Sequence, residues 1–174
     1  HAKAWDALPE VDDYRCLYGG DLAGVREKLD YLQSLGVEAI YFNPIFVSPS
    51  GHKYDAQDYD HVDPHLTVIS WDGGDVLENG VMDNRQASLY IRRTTALQNL
   101  AASDAWFAEF CKEVHARGMR IILDGVFNHC GSFNHWMDRE GLYPDGKGAY
   151  RNPKSPYRSY FNFRSDTDYH CWKR

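Results

Sequence analysis

The sequence predicts an α/β fold, on three observations: two amphipathic helical stretches each run into a short apolar strand, a glycine marks both junctions, and a long polar, aromatic-rich segment follows each strand. Repeated helix–strand units with tight junctions need parallel strands joined by right-handed crossovers. That requirement leaves a doubly wound sheet or a (β/α)8 barrel.

The first helix is read from Asp21, where DLAGVREKLDYLQSLG sets Leu22, Val25, Leu29 and Leu32 at spacings of three and four. Asp21 is placed as its N-cap and Gly36 as its stop, since a short acceptor suits the first turn and only glycine enters the left-handed region freely. VEAIYF at 37–42 follows as a strand buried on both faces, ended by Asn43 and Pro44. The second unit repeats the design: Ser103 is expected to cap a helix with Trp106, Phe107, Phe110 and Val114 on one face, Gly118 closes it, and MRIILD at 119–124 is the second strand. Residues 43–102 form a long excursion from the C-terminal end of the first strand, and Cys130–Arg174 a second from the other. In barrels that end of the strands carries the chemistry, so both excursions are expected on one functional face.

Composition narrows the function. The 174 residues carry a net charge of -6 with nineteen scattered basic residues, which excludes a phosphate-binding surface and hence a nucleic-acid partner. No run approaches the roughly 20 apolar residues of a membrane span, and the first ten residues lack a secretory layout. Cys16, Cys111, Cys130 and Cys171 are far apart and read as unpaired thiols. Aromatic residues reach 14%, with twelve Tyr and five Trp, a composition that permits stacking on the apolar faces of sugars.

Two stretches carry candidate chemistry. DGVFNHCG at 124–131 puts Asp124 at a strand end with Asn128 and His129 following, where a barrel presents polar groups to a ligand; the alternative is that Asp124 and Asn128 serve loop backbone and His129 is packed. GHKYDAQDYDHVDP at 51–64 interleaves His, Tyr and Asp on a loop, which also fits a solvated turn.

In this order and separated by a helix, the two stretches resemble the α-amylase superfamily of glycoside hydrolases, retaining enzymes acting on α-glucans. YGGDLAGVREKLDYLQSLGVEAIYFNPIFVSPSGHKYDAQDYDHVDP resembles that family's first barrel helix, second strand and following loop, and MRIILDGVFNHCG its third strand with the first signature region. SPYRSYFNFRSDTDYHCW resembles the irregular B subdomain of neopullulanase-like and cyclomaltodextrinase-like members. The resemblance implies a partial (β/α)8 TIM barrel over residues 1–129 and the start of a B subdomain over 130–174. It also implies that Tyr54 is the platform for the sugar at the cleavage point, that His129 bonds its hydroxyls, that His52 adds a polar contact, and that Asp124 and Asn128 support the pocket.

Departures from the family pattern are as informative. The nucleophile segment G-F-R-x-D, the later acid Glu and the H-D pair are absent, so no catalytic carboxylate is expected within these residues. Two helix–strand units fall short of a barrel of typically about 250 residues, so the chain is expected to be part of a larger domain, inactive alone. The run from Leu66 to Leu100 exceeds the short linkage many members have and is read as a flap specific to a subfamily. By resemblance, the Gly19 carbonyl and the Asp21 carboxylate contribute to a calcium site, and no organic cofactor is expected. The implied partner is an α-glucan oligo- or polysaccharide, hydrolysed by double displacement. Transglycosylation or isomerisation by the same pocket, and a non-catalytic sugar-binding relative, are the alternatives. The compartment is not legible in the sequence, though a polysaccharide substrate would favour an extracellular or cell-surface location.

Overall fold

A computed structural model describes residues 20–81 and 83–169. Its elements run α1 (Leu22–Glu27), α2 (Leu29–Ser34), β1 (Ala39–Phe42), β2 (Phe46–Val47), β3 (Asp58–Val62), α3 (Ser88–Thr95), α4 (Leu97–Ala116) and β4 (Arg120–Leu123), with single 3-10 turns at Pro64–Leu66, Asn84–Gln86 and Arg158–Tyr160. The stretch expected as one helix is two, parted at Lys28, whose φ of -102° and ψ of 5° leave the helical region. The axis continues across the break, because the Lys28 carbonyl still accepts from the Leu32 N–H at 2.9 Å.

Both helix-to-strand junctions close in the same way. At Gly36, φ +78°, the Val37 N–H reaches back to the Leu32 carbonyl and the Gly36 N–H to Gln33; at Gly118, φ +75°, Met119 and Gly118 reach Val114 and His115. These are Schellman caps, and they point the chain directly into β1 and β4. The two strands pair in parallel, Ala39 against Arg120 through Phe42 against Leu123, as consecutive barrel strands would.

One face of this two-stranded sheet is covered. Ile40, Phe42 and Ile121 pack with Leu29, Phe110, Val114 and Met119, and Phe110 and Val114 are fully buried. A second cluster of Leu22, Ile45 and Val62 shares Val25, Phe42, Trp106 and Phe107 with the first. Arg26 with Glu113, and Arg117 with Asp30 at 2.8 Å, brace α1 and α2 against α4. The opposite face differs from the expectation of strands buried on both sides: Tyr41 and Ile122 are exposed, because no described element covers them.

The excursion after β1 is more ordered than a loop. Phe46–Val47 and Asp58–Val62 pair antiparallel with a bulge between Phe46 and Val47, and α3 follows. Ser103 is not the cap it was expected to be. The helix starts at Leu97 after an extended Ala96, and Ser103 lies fully buried inside it, donating to the Val62 carbonyl at 2.7 Å and meeting Thr67 Oγ1 at 2.5 Å. That position favours a small hydroxyl because α4 crosses the hairpin there.

Asn99 fastens the segment between hairpin and helix. Fully buried, it accepts from the Ser70 and Trp71 N–H groups at 3.0 and 2.7 Å and donates to the Trp71 and Arg92 carbonyls at 2.9 and 3.2 Å. Residues 130–169 are irregular and gather around Trp136, which stacks on Tyr59 of β3 at 5.1 Å and meets Tyr160 edge-on at 5.4 Å. Much of the aromatic excess thus serves packing. Among the described residues Cys111 and Cys130 are free, and no helix is long and apolar enough to cross a membrane; Cys16 and Cys171 lie outside them.

Candidate functional site

The site is assembled where the loop after β1 meets the end of β4. Asp124 follows β4 directly, and its N–H continues the ladder to the Phe42 carbonyl at 3.2 Å, so the strand pair fixes its backbone. Its Oδ2 accepts from the Tyr54 hydroxyl at 2.8 Å and from the Tyr41 hydroxyl at 2.6 Å. The carboxylate favours the neutral donor form of both phenols, holding Tyr54 above its ordinary value and pushing Tyr41 up to about 12. Tyr54 retains 38% of its surface and presents its ring outward from this anchor.

The loop bearing Tyr54 is built on two buried acids. Lys53 sits at φ +60°, a strained setting for a residue with a Cβ, and its ammonium pairs with Asp63, whose carboxylate is fully buried. Asp63 also accepts from the Ser48 N–H at 3.2 Å and from the His65 N–H and Nδ1 at 2.9 Å each. Burial alone would raise its pKa, but the bonds and charges of His65 and Lys53 outweigh burial and hold it below the usual carboxylate value. Asp55 accepts from the Ser48 hydroxyl at 2.6 Å and from the Ser50 hydroxyl. Asp58 takes the Asp60 N–H at 2.8 Å, and its burial raises its pKa.

His52 is exposed and folds back along its own loop: its Nδ1 accepts from the Tyr54 N–H at 3.1 Å, and the two rings lie 6.1 Å apart. His129 is half-buried, its carbonyl accepting the Tyr59 hydroxyl at 2.5 Å, while Asn128 is exposed. Cys130 is partly buried, which pushes its thiol up to about 11 and keeps it protonated. The loops are closely apposed here, since the Gly131 N–H donates to the Ala56 carbonyl at 3.0 Å and a Cβ at Gly131 would collide with the Asp55 carbonyl.

Of the expected site residues, Tyr54, His52 and Asp124 are thus joined through hydrogen bonds, and His129 is tied to β3 through Tyr59. Asp21 caps α1 by accepting from the Gly24 N–H at 2.8 Å, and Gly19 lies outside the described residues. Tyr41, Asp63 and Gln57 were not foreseen. Tyr41 had a readable signal, an aromatic ring one residue from the strand end and out of phase with the core-facing Ile40 and Phe42. Gln57 had none: its partners Tyr90 Oη at 2.8 Å and Thr94 Oγ1 at 3.2 Å lie more than thirty residues away.

A separate cavity of about 390 Å³ opens between Pro49, His65, Phe133 and the segment carrying Val76, Leu89 and Arg93. None of the expected site residues lines it. The Tyr54–Asp124 site is instead an open shelf.

The profile described as "Alpha amylase, catalytic domain" matches residues 4–67 and 100–173, leaving out the segment fastened by Asn99. The chain is 37% identical over 161 residues to an amylopullulanase of Thermoanaerobacterium saccharolyticum, covering 89% of this chain and 10% of that protein. It is 40% identical over 128 residues to neopullulanase 2 of Thermoactinomyces vulgaris, covering 74% and 15%. Among solved structures, the type III pullulan hydrolase of Thermococcus kodakarensis superposes with a TM-score of 0.54 at 34% identity, covering 84% of this chain and 18% of that one. The chain therefore spans between a tenth and a fifth of the length of these relatives.

Proposed function

The chain belongs to the α-amylase catalytic-domain family, and from that premise we propose that it forms the sugar-binding shelf of a retaining hydrolase of α-glucans such as starch, pullulan, cyclodextrins or maltodextrins. The observation that carries this reading is the Tyr54–Asp124 bond, which ties an outward-facing aromatic ring to the C-terminal end of a parallel strand.

The chemistry follows from what that shelf offers. A pyranose ring lays its apolar face on Tyr54, while His129 donates to its hydroxyls and His52 holds the Tyr54 backbone. Asp124 and Asn128 support the pocket, Asp124 by fixing the Tyr54 hydroxyl. Retaining hydrolysis needs two carboxyls about 5–5.5 Å apart, one as nucleophile and one as acid and then base. In this proposal both come from outside these residues, and residues 130–174 begin the subdomain that walls one side of the cleft. Bonds from His129 that strengthen as the ring flattens toward an oxocarbenium ion would lower the barrier, not merely hold the substrate.

Calcium belongs to the proposal through Gly19 and Asp21. Asp21 commits one carboxylate oxygen to its N-cap and keeps the other, and among the described residues no three acidic, His or Cys side chains gather around a common point. These residues do not make a metal site by themselves, so no step is routed through the ion. An extracellular or cell-surface location accompanies the polysaccharide reading, as does the absence of nucleic-acid and membrane partners.

The test is product analysis with the complete protein on pullulan, cyclomaltodextrins and maltotriose. Glucose and maltose from maltotriose support hydrolysis. Longer oligomers or an isomerised disaccharide would replace it with transglycosylation or isomerisation, and binding without turnover would mark a non-catalytic relative.

A further inference from the structure

We infer that Tyr41 is a positioning residue of the sugar shelf, acting through Asp124 to hold Tyr54 in register; the inference rests on the α-glucan reading above. Three observations carry it. Tyr41 and Tyr54 donate to the same carboxylate oxygen, at 2.6 and 2.8 Å. Tyr41 belongs to β1, where its backbone is fixed by parallel pairing opposite Ile122, two residues before Asp124. Its neighbours Ile40 and Phe42 pack toward the helices, so its own ring stands on the opposite face of the sheet, beside the site.

The geometry divides the labour. Tyr54 arrives on a loop, and a loop alone would let its ring swing. Tyr41 arrives on the strand pair and fills one of the two lone pairs of Asp124 Oδ2, leaving the other for Tyr54, so the carboxylate cannot turn without breaking a charge-assisted bond to a rigid donor. Among the described residues both of these bonds fall on Oδ2, so the two phenols share one acceptor atom. Tyr41 does not need to touch substrate: it sets the angle at which Tyr54 meets it. Holding reacting groups in place is a large part of what an active site supplies, and misplacement by 1 Å costs up to about 10²-fold.

The experiment compares the complete wild-type protein with Tyr41→Phe, Asp124→Ala and the double variant on a soluble maltodextrin. Tyr41→Phe keeps the ring and removes the hydroxyl; kcat should fall about tenfold with KM changed by less than about threefold, since alignment and not the binding surface is lost. In the Asp124→Ala background the same change should have no further effect, which a merely structural role of Tyr41 would not produce. Site-specific difluorotyrosine at position 41 provides a readout that preserves the fold: its more acidic hydroxyl ionises at lower pH and then cannot donate, so activity should decline with rising pH where wild type holds. The groups facing that hydroxyl are Asp124 and Tyr54.

An active wild type with Tyr41→Phe unchanged overturns the inference alone, as does an equal loss in the Asp124→Ala background or an unaltered pH profile for the difluorotyrosine protein. A wild type that neither binds nor cleaves any α-glucan overturns the functional reading first, and this inference with it.

Discussion

Replacing Asp63 by Asn tests the support beneath the Tyr54 loop. The carboxylate is fully buried and takes four donors: Ser48 N–H, His65 N–H, His65 Nδ1 and the Lys53 ammonium. Asparagine keeps one acceptor oxygen for His65 but turns an amide NH2 toward Ser48 and Lys53, leaving an ammonium without its counter-charge. Breaking one side of a buried pair costs about 3–5 kcal/mol. Lys53 keeps 12% exposure and so a partial route to water, which places the expected loss near the lower end, about 3 kcal/mol. In a domain of about 150–250 residues that is a fall of roughly 6–12 °C in Tm. The sign with pH follows from the depressed pKa of Asp63: its stabilisation is present above the unfolded carboxylate value of 3.8 and is lost as pH falls through the lower folded value. Calorimetric melts of the complete wild type and Asp63→Asn should therefore differ fully at pH 7 and converge below about pH 4. Because Lys53 lies between His52 and Tyr54, the variant should also raise KM for maltodextrin. A Tm difference under about 2 °C at pH 7, or one undiminished in acid, would refute the assignment of Asp63 as the loop's anchor.

Tyr54→Ala should raise KM more than it lowers kcat, and His129→Ala should lower kcat/KM chiefly through kcat, read from initial rates on a soluble dextrin. Both variants matching wild type would remove these residues from the shelf. Gly36→Ala meets no atom within 4 Å but forces φ +78° on a residue with a Cβ, so urea unfolding should show a loss of about 1–2 kcal/mol with activity unchanged. Gly131→Ala should cost activity as well, since its Cβ would displace the Asp55 carbonyl and part the two loops. If Asp21 helps hold calcium, a chelator should lower Tm and Asp21→Asn, which keeps a capping acceptor, should erase the response to added calcium; an unchanged response in Asp21→Asn would take Asp21 out of the ligand set.

The parts of this fold that were legible in sequence are those written in local code. Periodicity exposed the stripe of Leu22, Val25, Leu29 and Leu32, and Gly36 and Gly118 announced their left-handed caps because few other residues enter that conformation without strain. Family resemblance drew Tyr54 and Asp124 into one site. What escaped was non-local. Ser103 has the profile of an N-cap, and only the hairpin it touches reveals that it sits mid-helix against Val62. Asp63 reads as a turn acid before proline, and its burial under Lys53 and His65 appears only once the chain returns. The break at Lys28 has no marker, since lysine is a good helix former.

The segment between Thr67 and Leu100 has a consequence for how this chain could be redesigned. Its two ends are sewn together where Thr67 meets Ser103 at 2.5 Å, so a linker of a few residues would bridge the gap and leave the hairpin and α4 undisturbed. By that measure it is a cassette, removable or exchangeable between relatives. Gln57 says otherwise. Fully buried under the Tyr54 loop, it gives its amide to Thr94 and takes the Tyr90 hydroxyl, both from within the cassette. Excision removes both of these partners and leaves the amide only its bond with Tyr143, at a cost of about 1–3 kcal/mol for each group left unsatisfied. A chimera that lacks the cassette therefore needs a matching change at position 57, one that also suits the Tyr143 hydroxyl.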